Sequence, residues 1–221
     1  MTETSPSTTA TIGASAPGAP APGVSAPGVS ADIIAEASGV PPDDRLRARR
    51  PVTAQAAQDS HEALFTPRSE ADASRAERHA VALFVTLLHA APNLAAHHAD
   101  ALRRQPGGAA LVEAVQAAAA RGAAHGPYGR YPAGPLSTED QPGPDLAFAA
   151  NDAATLGPRL AAALAHAHLL VFHPRDARPA HLGRLIDAGW SSTGIVTLSQ
   201  LVAFLAFQIR VVAGLRVLAQ A

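Results

Sequence analysis

Ten histidines and no cysteine set the chemistry this chain can attempt. Imidazole is the one side chain that ordinarily changes charge near neutral pH, so it serves as a proton carrier or a metal ligand. Without a thiol, disulfides, thiolate nucleophiles, thiolate metal ligands and iron–sulfur clusters are all excluded. His97 and His98 are adjacent, which on a helix points them about 100° apart, so they do not share one pocket closely. His166 and His173 share a helical face, His168 lies well round from it, and Arg175 and Asp176 follow directly. No HExxH spacing and no paired Cys/His set occurs, so a metal site would need His98 or His89 to join from another helix. The expectation is that the chain holds neither metal nor cofactor. A helix-end position for His173, beside the negative end of the dipole, is the simpler account of that residue.

Three further groups carry polar chemistry. Tyr128, Arg130 and Tyr131 are the two tyrosines and a nearby guanidinium in a long Gly/Pro-rich stretch. They can cover a pocket and bind a small carboxylate, or pack the stretch on a neighbouring subunit; the residues leave both open. Arg210 sits among Phe207, Ile209, Val211 and Val212, where an unpaired charge is costly. A carboxylate partner is therefore expected, with Asp187, Asp176 and Glu77 as candidates. Trp190 is read as a turn anchor. Ser199 and Gln200 either line a pocket or satisfy one another.

The elements that position these residues are helical. Apolar residues make up 48% of the 221-residue chain, much of it alanine, and aromatics only 4%. Such a core suits closely packed helices, because β-branched and aromatic residues are scarce. The net charge of −1 gives no electrostatic reason to expect nucleic acid. Residues 1–30 are Ser, Thr, Ala, Pro and Gly almost throughout, with APGVS in tandem, and are expected to be a disordered tail. They lack the basic start and apolar run of a secretory signal.

From residue 31 onward the sequence predicts one all-α domain, with helical halves over 31–121 and 159–221 separated by a long loop at 122–158. A short helix starts at Asp32 and ends at Gly39. A second runs from Pro51 to about Phe65. Ser74-Arg75-Ala76-Glu77 has capping-box spacing and opens a longer helix whose apolar face is Val81, Phe84, Leu87, Leu88 and Ala91. Pro92 restarts the chain as the helix carrying His97 and His98, which ends at Gly107-Gly108, and Ala109 to Ala120 form another. Pro158 opens a helix to about His173, Ala180 to Ala188 form a short one, and Ser191 or Ser192 caps the last. Ile195 to Ala213 is interrupted by Ser199, Gln200, Gln208 and Arg210, so it is expected to be a buried helix of a cytoplasmic protein and not a membrane span.

The run RHAVALFVTLLHAAPNLAAHH, from Arg78 to His98, resembles the AhpD-like superfamily, which includes alkylhydroperoxidase D and carboxymuconolactone decarboxylase. Its members place a Glu ahead of a Cys-x-x-Cys-x-x-x-His motif at a break between two helices. His98 aligns with the motif histidine, Ala91 and Leu94 fall at the two cysteines, and His79 falls at the glutamate. The C-terminal AHLGRLIDAGWSSTGIVTLSQLVAFLAFQIRVVAGL is similar to the closing helices of peroxidase-related members. GPYGRYPAGPL and HAHLLVFHPRDA resemble the subgroup named CMD domain protein, found beside alkylhydroperoxidase-domain partners.

The resemblance implies an AhpD-like bundle that assembles into a homo-oligomer, with a small apolar pocket near His98. It does not imply thiol chemistry, since alanine and leucine neither attack a peroxide nor form a disulfide. One expectation is a non-peroxidase partner of an active alkylhydroperoxidase-domain protein. The other is a decarboxylase or lactone-type enzyme in which His98 and His79 carry protons near neutral pH and Arg130 or Arg210 clamps a carboxylate, with Tyr128 and Tyr131 covering it. The plainer account of the two histidines is a hydrogen-bonded relic. Convergence of His98, His79 and one arginine on a single cavity separates the two expectations.

Overall fold

The computed structural model describes residues 32–41, 44–126 and 128–220, and the expected tail over 1–30 lies outside them. Within the described residues the chain is all-α, and its one extended pairing is an isolated bridge between Gly129 and Gln141. The start of each element follows from local chemistry. Asp32 caps α1 (Ile33–Ser38) by accepting from the Ile34 and Ala35 amides, and Gly39 ends it in the left-handed conformation at φ 74°. Asp44 caps the short α2 (Arg45–Ala48), which composition alone does not reveal. Pro51 occupies the first position of α3 (Pro51–Phe65), where its missing N–H costs nothing.

The centre of the fold is α4 (Arg75–Leu88). Its capping box is complete: the Glu77 amide donates to Ser74 Oγ at 3.2 Å, and the Ser74 amide to the Glu77 carboxylate at 2.8 Å. Every residue from Arg78 to Thr86 is buried, so this helix is apolar all round because neighbours cover it all round. Those neighbours are α5 (Pro92–Arg103), α6 (Gly108–Gly122), α7 (Ala150–Phe172) and α9 (Ser192–Leu218). Between α4 and α5 the chain breaks at Ala90, the one non-glycine residue with positive φ (49°) among those described. Pro92 then opens α5. The α5–α6 crossing is close enough that a Cβ on Gly108 would lie 1.9 Å from the Leu102 carbonyl oxygen, so only glycine fits there.

Three features depart from expectation. Pro158 opens a helical segment as expected, but a further segment precedes it from Ala150, and the two meet at a kink at the non-helical Gly157 (φ 70°). The α9 helix is not a buried helix throughout. It is long and apolar enough to cross a membrane by length and composition (mean hydropathy 1.9), yet only 28% of that window is buried, and Val196, Phe207, Val217 and Leu218 face outward. Arg210 is the third. It is exposed and donates to the Ala206 carbonyl one turn back at 2.7 Å, and none of Asp187, Asp176 or Glu77 pairs with it. A charge on the outer face of α9 reaches water and needs no buried carboxylate.

The guanidinium that does tie the fold together is Arg159. Its Nε donates to Glu77 Oε1 at 2.6 Å and its Nη2 to the Asp72 carbonyl at 2.7 Å, while Nη1 donates to the Gly189 carbonyl. It also stacks over Trp190 at 3.9 Å, and Trp190 Nε1 donates to the Arg159 carbonyl at 2.8 Å. Trp190 is thus the anchor of the turn between α8 (Pro179–Asp187) and α9, as its position suggests.

Candidate functional site

His79 and His98 meet. His79 projects from the second turn of α4 and His98 from the middle of α5, and their Nδ1 atoms lie 3.3 Å apart. One nitrogen must donate and the other accept. His98 Nε2 is buried with no partner. Leaving a lone pair unsatisfied costs less than leaving an N–H so, and the consistent tautomers therefore have His98 Nδ1–H donating to His79 Nδ1. His98 is 0% exposed.

A phenyl ring closes the pair. Phe65 stacks on His79 at 5.0 Å between ring centroids and on His98 at 4.8 Å. Its placement comes from Arg78, a buried arginine whose Nη1 donates to the Leu64 carbonyl at 2.8 Å and whose Nε donates to the Ala73 carbonyl at 3.0 Å. One turn earlier on α3, buried His61 packs against Phe65 at 4.8 Å and reaches the edge of His97 at 6.1 Å. His97 turns away from the pair, as adjacency on a helix requires, with its ring at 87° to His98 and its Nδ1 3.5 Å from Glu36 Oε1 on α1. His61 and Phe65 were not among the expected site residues. Their four-residue spacing places an aromatic pair on one face of α3, and that was the available signal.

Electrostatics keep this cluster neutral. Burial, then neighbouring His97 and His61, pushes His79 down to about 4. Burial, with His97 next, lowers His61 to about 4. Burial first and His79 second hold His98 well below its ordinary value. A proton carrier works best when its pKa lies near the working pH, and these imidazoles titrate far to the acid side. The pair is geometrically a donor–acceptor couple and electrostatically a poor acid–base catalyst at neutral pH.

The positions that align with the motif cysteines are packed. Leu94 is 1% exposed in a small second core with Ile33, Ile34 and Ala37 of α1 and Val212 of α9. Asn93 Nδ2 donates to the Ala37 carbonyl at 2.9 Å, fastening α1 across the first turn of α5.

The remaining expected site residues lie elsewhere. The Arg130 amide donates to Asp176 Oδ1 at 3.1 Å, and the Tyr131 ring lies under the Arg175 guanidinium at 3.9 Å. The Tyr128 amide donates to the Phe172 carbonyl at 2.9 Å. All three therefore dock on the end of α7 and the turn after it, and Arg210 stands on the outer face of α9. No contact of these four reaches the His79–His98 pair, so the clamp does not form around it. Nor do the α7 histidines converge: His166 bonds Ser199 Oγ at 3.1 Å, His168 the Gly122 carbonyl at 2.9 Å, and His173 lies 3.6 Å from Asp176. Among the described residues no group of three or more His, Asp or Glu side chains is arranged to hold a metal ion. Neither a family model, nor a curated protein, nor a solved structure matches this chain.

Proposed function

We propose that this chain is a thiol-free relative of the AhpD-like/CMD proteins that acts by assembly, as a cytoplasmic homo-oligomer working beside an active alkylhydroperoxidase-domain protein. The observation that carries this reading is the sealed first turn of α5. Where the redox members expose a nucleophile, Leu94 is covered by α1 and Phe65 shuts the imidazoles behind it. The outward apolar side chains Val196, Phe207 and Val217 on α9 support the oligomeric part, since exposed large apolar groups are what a subunit contact covers.

The test has two arms. With hydrogen peroxide or an alkyl hydroperoxide and a dithiol reductant, the pure protein should consume peroxide no faster than buffer, and robust turnover would overturn the reading. In multi-angle light scattering the mass should exceed that of one 22.5 kDa chain, and a monomer at every concentration tested would remove the assembly claim.

The second reading, a cofactor-free decarboxylase or lactone-type enzyme, has the His79–His98 contact in its favour. Against it stand the placement of Arg130 and Arg210 away from that pair and the acid-shifted imidazoles. Assay of a γ-carboxymuconolactone-type substrate against a His98→Asn variant distinguishes it, because the enzyme reading requires turnover that the variant loses.

A further inference from the structure

A cavity is found away from His98. It lies between α7, α8 and the segment Pro144–Phe148, with a volume of about 450 Å³, the size range of pockets for small organic ligands. The chain's own long loop closes it. Gly143 packs against His173 so tightly that a Cβ there would lie 2.5 Å from the ring Cγ, and Leu146 presses on Gly122, where a Cβ would meet its Cδ1 at 2.9 Å. These glycines let the segment lie flat on the ends of α6 and α7, and a space remains beneath it.

The wall has two kinds of surface. One is apolar: Ala161, Ala162, Ala165 and Leu169 of α7 face Leu146 and Phe148 of the loop. Three alanines within two turns of the helix leave room that larger side chains would fill. The other is polar and is shared: His166, His168 and His173 border the cavity from the end of α7, and His181 and Arg184, one turn apart on one face, border it from α8. The Arg178 amide donates to His181 Nδ1 at 3.1 Å, so the neutral ring carries its proton on Nε2 and is a donor. Arg184 has no carboxylate within ion-pair distance among the described residues, whereas His166 Nε2 meets Ser199, His168 Nε2 meets Gly122 and His173 lies beside Asp176; His166 Nδ1 is buried with no partner. His166 and His168 are held below their ordinary pKa chiefly by burial, and Arg184 brings a guanidinium to the same cavity. The Asp145 carboxylate also borders the cavity and opposes any anion there, a dianion such as a phosphate monoester more than a monoanion.

We propose that this cavity binds a small monocarboxylate with an apolar body, its carboxylate held by the Arg184 guanidinium and His181 Nε2–H and its body seated between the α7 alanines and Leu146 and Phe148. The proposal is independent of any kinship to the AhpD-like proteins, because its residues are not those of the α4–α5 break.

Phenylacetate and octanoate are suitable probes, with phenylacetamide as the uncharged isostere, read by saturation-transfer NMR and isothermal titration calorimetry on the full chain. The acids should bind in the micromolar to low-millimolar range, and phenylacetamide at least tenfold more weakly. Arg184→Gln, an exposed position where folding should be untouched, should weaken phenylacetate at least tenfold and leave phenylacetamide unchanged. Ala165→Leu should abolish binding of all three while the circular-dichroism melt stays cooperative. The proposal falls if neither acid binds at millimolar concentration, if phenylacetamide binds as well as the acid, or if Arg184→Gln binds phenylacetate as the wild type does.

Discussion

Acidification from pH 7.5 to 5 should remove much of this protein's stability before its carboxylates titrate. The cause is the buried imidazole cluster, and the sign follows from linkage. His61 and His79 sit at about 4 in the folded chain, below the 6.5 of an exposed histidine. Between those values the unfolded chain binds more protons than the folded one, so stability falls as pH falls through that window and is unaffected above it. Each group costs about 2 kcal/mol by pH 5, so the two together cost about 4 kcal/mol, with His98 adding to it. That is a large share of the roughly 5–15 kcal/mol that holds a domain of ordinary stability. Urea titrations followed by helical circular dichroism at pH 7.5, 6.5, 5.5 and 5 would read it directly. His61→Gln should recover about 2 kcal/mol of the pH-dependent loss. A wild-type stability that is flat from pH 7.5 to 5, or a His61→Gln protein with the same slope, would refute the reasoning.

Other perturbations give equally definite outcomes. Phe65→Ala leaves a void over both imidazoles and should lower stability by about 3–5 kcal/mol in the same urea assay at pH 7.5. Arg159→Met keeps the stem but releases Glu77, Asp72 and Gly189, and a loss of about 2 kcal/mol is expected in thermal or urea unfolding. Arg210→Gln should change stability by less than about 0.5 kcal/mol, because its guanidinium is exposed and meets only a carbonyl; a large loss would revive a buried partner.

How much of this is legible in the sequence depends on the range of the interaction. Asp32 and Gly39, Pro51, and the Ser74–Glu77 box announce helix ends because a cap is chemistry within a few residues. The start of α7 at Ala150 was hidden because Gly157-Pro158 reads as a stop, and the chain does kink there without ending its helical run. Arg210 misleads for a related reason: α9 is apolar on nearly every face, so periodicity does not say which face meets water. The meeting of His79 and His98 came from a resemblance and not from spacing. The closure by Phe65, set by an Arg78 bond to the Leu64 carbonyl, is a contact between helices that local pattern does not encode. The same holds for the docking of Tyr128, Arg130 and Tyr131 on Arg175 and Asp176, which separates them from the imidazole pair.

The attachment of α3 has a kinetic consequence. Of its fifteen residues only His61 and Phe65 are buried, so two rings, with Leu64 and the Arg78 bond to its carbonyl, hold the helix against the body at its C-terminal end. Such a helix belongs to the weakly held end of the molecule and should detach as a unit ahead of global unfolding. Each detachment uncovers three imidazoles at once, and below pH 6.5 all three can take up protons before the helix returns. Hydrogen exchange in α3 should therefore accelerate with acid much more steeply than a single titrating site allows, while amides in α4 stay protected until the whole chain opens.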